Sequence, residues 1–352
     1  MTALTKLLTD RIARTGPITL SDYMADCLMH PELGYYATRD PLGVAGDFIT
    51  APEISQMFGE LIGLSLAQVW LDQGSPAGFI LAELGPGRGT LMADVLRATR
   101  AVPGFHEAAQ VHLIEASPTL RAEQAKRIAD AQWHDTIDGL PEGPLLLLAN
   151  EFFDALPIRQ FIRDGQGWRE RMVGTTDGQL GFGLSAAAPL GMLEHRLSDT
   201  KDGNLIEYCP ALPGIIQDIG QRIDRHGGAA LIIDYGDWQS QGDTLQALSG
   251  HTPTDPLSVP GENDLTAHVD FAAIATNAQP AKFTRLTPQG VFLERLGITN
   301  RAQRLAEKLG GDARENHIAA HRRLTHPTEM GDLFKVIGLY PATGTPPPGL
   351  EP

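Results

Sequence analysis

Short apolar runs and helix-spaced apolar residues alternate along this chain, most clearly from residue 79 onward. Phe79–Leu84 is apolar except at Glu83, as expected of a strand covered on both faces. Residues 90–96 then read as an amphipathic helix. Residues 111–115 form a second strand and 132–135 a short third. Residues 145–150 make a fourth, apolar throughout and therefore central, and 229–234 a fifth. Ser117-Pro118 is placed to cap the helix after the second strand. This alternation predicts an α/β fold, a parallel sheet with helices on both faces.

Ahead of the sheet, Leu4, Leu7, Leu8 and Ile12 recur at helical spacing, and Thr19-Leu20-Ser21-Asp22 opens a second short helix. A longer helix carries Ile54, Phe58, Leu61, Ile62, Leu66, Val69 and Trp70 on one broad face, with Thr50 and Glu53 spaced as a capping box before it. The gap between the fourth and fifth strands is longer than a single crossover helix needs. Within it, residues 159–162, 168–173 and 179–184 read as a small antiparallel insertion. Residues 236–268 are rich in Gly, Pro, Asp and Thr and read as loop. Residues 271–278 are expected to be helical, 282–286 a strand, 291–321 mostly helical and 333–339 a closing strand. The expected organisation is an N-terminal helical cap over 1–52 and one domain over 53–340, with insertions at about 155–215 and 236–330. A proline-rich tail over 341–352 is expected to fray.

The turn after the first strand, Glu83-Leu84-Gly85-Pro86-Gly87-Arg88-Gly89-Thr90, points to a ligand. Three glycines at alternate positions permit tight backbone angles and close approach of a bound group. Thr90 can cap the following helix, whose first amides face an anionic moiety. A nucleotide-like cofactor is the first expectation. The dinucleotide fingerprint has G-x-G-x-x-G and an acid about 20 residues later. Here the spacing is G-x-G-x-G, Glu83 precedes it, and the next acid ending an apolar strand is Glu115. That arrangement resembles the class I, Rossmann-like methyltransferases that use S-adenosyl-L-methionine (SAM). The resemblance implies that SAM is held by Glu83, Gly85, Pro86, Gly87 and Gly89 of the turn, by Glu115 and Ala116 after the second strand, and by Asn150 ending the fourth.

Composition narrows the setting. With 352 residues and 42% hydrophobic content, the chain can bury a substantial core, and no stretch is long and apolar enough to span a bilayer. The first twenty residues contain Asp10 and only scattered apolar positions, unlike a secretion signal or a transit peptide. Cys27 and Cys209 are the two cysteines, with neither a disulfide framework nor metal-ligand spacing. A reduced, cytoplasmic protein without a metal is expected. The net charge of −15 argues against a nucleic-acid partner and suits a cationic substrate, although solubility alone is the simpler account.

Ligands of open α/β sheets bind beyond the carboxyl ends of the strands. The segment after the fourth strand, Asn150-Glu151-Phe152-Phe153-Asp154-Ala155-Leu156-Pro157, is the best catalytic candidate. Carboxylates at Glu151 and Asp154 can hold a guanidinium through charge-assisted hydrogen bonds, align its nitrogen with an electrophilic methyl, and help remove the proton. The structural alternative is that Glu151 caps a helix and Asp154 is solvated. His268 lies in a loop that could cover the site, but capping or packing is the simpler role, and Asp270 reads as an N-cap. Trp133 and Tyr235 could stack on an adenine; packing suits Trp133 better.

Taken together, Gly46–Ser55, Glu83–Thr90, Asn150–Pro157, Asp234-Tyr235-Gly236 and Asp264–Phe271 resemble the MidA-type family, in order, from about Leu20 to Leu309. This is the SAM-dependent methyltransferase family of the mitochondrial complex I assembly factor and its bacterial relatives. The resemblance implies a class I fold with an N-terminal cap and a substrate-side insertion. It also implies methylation of an arginine in a protein, such as a core complex I subunit. The chain lacks the extended N-terminal targeting segment of the mitochondrial members and so looks bacterial. Two other readings stay open: a methyltransferase for a small molecule or another side chain, and a non-catalytic SAM-binding assembly factor.

Overall fold

The computed structural model describes residues 2–38, 50–250 and 252–352. Among the described residues the expected sheet has nine strands, of which three are two-residue pieces and six form its body: β1 (Phe79–Leu84), β2 (Ala109–Ile114), β3 (Gln132–His134), β4 (Leu145–Asn150), β5 (Gly228–Asp237) and β6 (Phe334–Tyr340). They lie in the order β3-β2-β1-β4-β5-β6. The first five are parallel and β6 runs antiparallel to β5. The chain moves outward from β1 to β3, then returns to the other side of β1 at β4. Strand order therefore reverses between β1 and β4, whose ladder ends with Leu84 opposite Ala149. The turns that follow these two strands become neighbours, which is where such sheets bind ligands.

β1 and β4 are buried at every position, which explains their unbroken apolar character. One cluster joins Phe58, Ile62, Leu66 and Trp70 of the helix Gln56–Asp72 with Leu81, Leu146 and Leu231 of the sheet. Trp70 meets the Phe105 ring edge-on at 5.5 Å. The helix Gln56–Asp72 packs closely on Thr90–Thr99, because a Cβ at Gly59 would come within 2.6 Å of the Asp94 Cβ. Arg97 ties the same two helices by bonds of 2.8 Å to Asp94 and 3.1 Å to Glu60, and Arg301 joins Glu60 at 2.9 Å.

Three local expectations change. The segment from Pro341 is docked, not frayed: Leu350 is buried in the cluster just described, and the Arg285 amide donates to the Glu351 carbonyl at 2.8 Å. Within 236–268 the chain forms three antiparallel strands, Gln246–Ser249, Thr252–Thr254 and Asp264–Thr266. Apolar alternation is too short there to stand out from the Gly and Pro around it. Thr50 precedes a separate short helix, Ala51–Ile54, without capping it through its side chain; Ser55 starts the long helix and accepts from the Met57 amide.

The chain divides into two compact units. The sheet unit comprises Ile49–Phe153, Pro213–Trp238 and Phe271–Pro352. The other takes the described residues of Met1–Phe48, with Asp154–Leu212 and Gln239–Asp270. In that second unit Arg159–Asp164, Gly167–Thr176 and Gln179–Leu184 form the expected antiparallel insertion, extended by Leu205–Tyr208 and by Ile18–Thr19. Leu4, Leu8 and Ile12 of the first helix and Leu20, Tyr23 and Met24 of the second are buried with Ile158, Val173 and Leu265.

Candidate functional site

The penultimate residue of β1 is Glu83, a carboxylate only 3% exposed. Burial raises it to about 8, against a smaller lowering by the Met92 amide that donates to it. Among the described residues its Oε2 has no hydrogen-bond partner. The turn then passes through Gly85, Gly87 and Gly89 with φ of +58°, +53° and +77°, a left-handed path that other residues adopt only at a cost. At Gly85 there is also no space, since a Cβ would lie 2.8 Å from the Phe152 ring. Pro86 is buried and its carbonyl accepts from the Gly89 amide at 2.7 Å.

Thr90 does not cap its helix; Gly89 occupies that position. The Thr90 hydroxyl instead donates to Glu53 Oε1 at 2.5 Å. The supposed capping-box acid is thus a tertiary acceptor that fastens Ala51–Ile54 to the glycine turn. Of the motif Gly46–Ser55, residues 46–49 lie outside the described residues.

Glu115, after β2, is half-buried. Its Oε1 accepts from the Ser117 amide at 2.8 Å and its Oε2 from Gln124 Nε2 at 3.2 Å. Burial raises its pKa, and these two donors work against that rise. Ala116 is exposed beside it, and Ser117 caps the next helix by accepting from the Leu120 amide. Trp133 donates its indole N–H to Gln124 and packs against the core, while Tyr235 meets Phe334 edge-on at 5.4 Å. His134 stacks on His112, and Asp135 accepts from Arg121 at 2.5 Å.

After β4 the backbone turns sharply. Asn150 is nearly buried, its Nδ2 donates to Glu151 Oε1 at 3.1 Å, and its Oδ1 has no partner among the described residues. Glu151 sits at φ +52°, one of three non-glycine residues with positive φ among the described residues; such a backbone costs on the order of 1–3 kcal/mol and persists only where neighbours enforce it. The enforcing bonds are visible. The Glu151 amide donates to the Ile233 carbonyl at 2.9 Å, and the Phe153 amide donates to Asp234 Oδ2 at 3.0 Å. Asp234 is completely buried within β5, so its carboxylate acts as a fixed post for this turn. The Ala51 amide also donates to Glu151 Oε1, at 3.3 Å. One short segment, Ala51–Ile54, therefore meets both the glycine turn and the Glu151 turn.

The second expected acid falls in the other unit. Asp154 is buried there and its carbonyl accepts from the Ala267 amide at 3.0 Å. Its carboxylate and that of Asp264 act on Tyr36, whose hydroxyl donates to Asp264 Oδ1 at 3.1 Å; burial first, then these charges, raises the Tyr36 pKa well above its ordinary value. The solvated role for Asp154 is thereby excluded. The backbone N–H of His268 donates to Thr244, whose own amide donates to the buried Glu207 at 3.0 Å. Asp270 accepts from the Ser240 amide at 3.2 Å.

Among the described residues no group of three or more His, Cys, Asp or Glu is placed to hold a metal, and no helix is long and apolar enough to cross a membrane. Sequence reasoning passed over Gln124 in this arrangement; it read Thr90 and Glu53 only as helix-capping residues, and marked Asp234 after the fifth strand without giving it a role. Gln124 lies in a mostly polar helix, and nothing in that pattern marks it as fully buried.

A family model described as S-adenosyl-L-methionine-dependent methyltransferase matches residues 61–289. The mouse mitochondrial protein arginine methyltransferase NDUFAF7 is 37% identical over 97% of this chain and 85% of its own length. The Drosophila melanogaster homologue is 36% identical over 96% of this chain and 85% of its own. A Burkholderia thailandensis protein crystallised with S-adenosyl-homocysteine superposes with a TM-score of 0.82 at 30% identity, covering 96% of this chain and 92% of that one.

Proposed function

Because this chain belongs to the S-adenosyl-L-methionine-dependent methyltransferase family, we propose that it methylates an arginine side chain of a protein, with Glu151 as the residue that orients the acceptor. When bound, SAM supplies an electrophilic methyl group on a sulfonium. The residues present fit that cofactor. Glu83 Oε2 and Asn150 Oδ1 are buried acceptors that no donor among the described residues satisfies, and SAM carries donors at its ammonium, its ribose hydroxyls and its adenine amine. Glu83, Gly85, Pro86, Gly87, Gly89 and Asn150 would hold it around the switch point. Glu115 and Ala116 would take the ribose side.

The observation that carries the proposal is Glu151. A strained backbone turn, locked by Ile233 and Asp234, presents a carboxylate already oriented by the Ala51 amide and Asn150. An acceptor-only group held this way suits a guanidinium, which offers two parallel N–H donors to a carboxylate. Glu151 would neutralise that cation, fix the attacking nitrogen in line, and receive the proton it sheds. Asp154, three residues on, stays the second candidate carboxylate. The names of the relatives support a protein arginine as acceptor, and the resemblance to the complex I assembly factor supports a complex I subunit.

The test incubates the protein with methyl-labelled SAM and extract from cells lacking it. Labelled protein that yields methylarginine on hydrolysis, and loss of that label at least a hundredfold in Glu151→Gln with SAM affinity retained, is the expected result. Undiminished labelling by Glu151→Gln refutes the residue assignment. Label confined to small molecules supports the small-molecule reading. SAM binding without any transfer supports the non-catalytic assembly role.

A further inference from the structure

Gln124 is the one residue of the helix Pro118–Arg127 whose burial is complete and whose side chain is polar. Its amide makes three hydrogen bonds to three different elements. Nε2 donates to the Gly87 carbonyl at 2.7 Å and to Glu115 Oε2 at 3.2 Å, and Oε1 accepts from Trp133 Nε1 at 2.8 Å. The chemistry of the neighbours dictates which way the amide faces. An indole nitrogen only donates, and a carbonyl or carboxylate only accepts, so a flipped amide would satisfy none of the three. A trans peptide points its carbonyl and following N–H in opposite directions, so holding the Gly87 carbonyl also directs the Arg88 N–H to the far side of the turn.

We propose that Gln124 is a positioning residue for the cofactor: it locks the glycine turn and the Glu115 carboxylate into one relative geometry before SAM arrives. This rests on the reading of Glu115 as the ribose-binding acid. Three of the five residues of the turn 85–89 are left-handed glycines with no side chain to brace it, so its shape gains from an outside strut. Glu115 is likewise half-buried and needs donors to remain an ionised acceptor, and Gln124 is one of them. A single buried amide meets both needs and holds no position in the reaction itself. Substitution should therefore raise the dissociation constant for SAM while kcat at saturating SAM is preserved.

The discriminating replacements are Gln124→Met, which keeps the length and removes the hydrogen bonds, and Gln124→Glu, which sets a carboxylate against the Gly87 carbonyl and Glu115. Calorimetric titration of the full chain with SAM is expected to show about tenfold weaker binding for Gln124→Met. For Gln124→Glu the loss is larger at pH 8 and partly recovers at pH 6, where the protonated acid can donate again; Gln124→Met shows no such recovery. A merely space-filling role predicts no difference between the two in their pH profiles. Glu115→Gln, measured alongside, separates the premises. If it weakens SAM while both Gln124 variants bind within twofold of the parent, the inference is overturned. If Glu115→Gln binds like the parent, the ribose reading fails instead, and Gln124 is judged by Gln124→Met alone through Gly87. Should Gln124→Met not fold, Trp133→Phe removes the indole N–H that orients the amide while keeping an aromatic ring at the core. About threefold weaker SAM binding then supports the proposal and unchanged binding refutes it.

Discussion

Glu83 is where burial and chemistry are most directly opposed. Its carboxyl sits near the end of a fully buried strand and is raised to about 8 by desolvation, with only the Met92 amide acting the other way. Between its ordinary pKa and about 8 the folded chain without SAM keeps a proton that the unfolded chain has lost. Stability must fall as pH rises through that window, with a slope of up to about 1.4 kcal/mol per pH unit from this group. Asp94, raised to about 6, adds to the same trend, so a difference between variants is the proper measure. Glu83→Gln, which can still accept from Met92, is expected to be more stable than the parent at pH 8 and closer to it at pH 5. Urea melts at the two pH values check this, and a parent-to-variant difference that does not grow with pH would refute it. At this scale the sequence was informative wherever a polar residue interrupted or ended an apolar strand: Glu83, Glu115, Asn150 and Glu151 were all visible that way. Thr90, read as an N-cap, and Glu53, read in a capping box with Thr50, were misread because capping is a local pattern, and the bond that formed instead spans 37 residues.

The elements of the sheet were legible because each is longer than the noise in its pattern. β1 and β4 are unbroken apolar runs, and the helix Gln56–Asp72 has a broad apolar face. The shorter strands between 246 and 266, and the order in which the tail docks, were not. Proline-rich segments lack periodicity, so only the surface they meet decides whether they are held. Here Leu350 is 7% exposed against a core that includes Phe292, and the Ser65 hydroxyl donates to the Pro348 carbonyl at 3.1 Å. Leu350→Ala is expected to cost about 2–3 kcal/mol, toward the low end for a buried leucine because a chain end can relax. Chemical denaturation would measure it, and a loss below about 0.5 kcal/mol would show the tail is not part of the cooperative core.

For the whole molecule, the charge of −15 matters for encounter more than for fold. A cationic acceptor approaching an acidic protein is steered at low salt and loses that advantage as the Debye length shrinks to about 3 Å at 1 M. If the acceptor is an arginine in a protein, kcat/KM should fall several-fold between low and high salt while SAM affinity changes less. A salt-independent kcat/KM would argue against electrostatic steering of the acceptor. The sequence by itself determined the strand-and-helix alternation, the glycine turn and the acids at strand ends, because these depend on patterns of a few neighbouring residues. It therefore also pointed to the family and its cofactor. The tertiary structure alone decided that strand order reverses beside β1, that Ala51–Ile54 joins the two turns, that Gln124 is buried between Gly87 and Glu115, and that Glu151 stands on a strained backbone. Those facts arise from contacts between residues far apart in the chain, and no local propensity encodes which distant partner will complete a hydrogen bond.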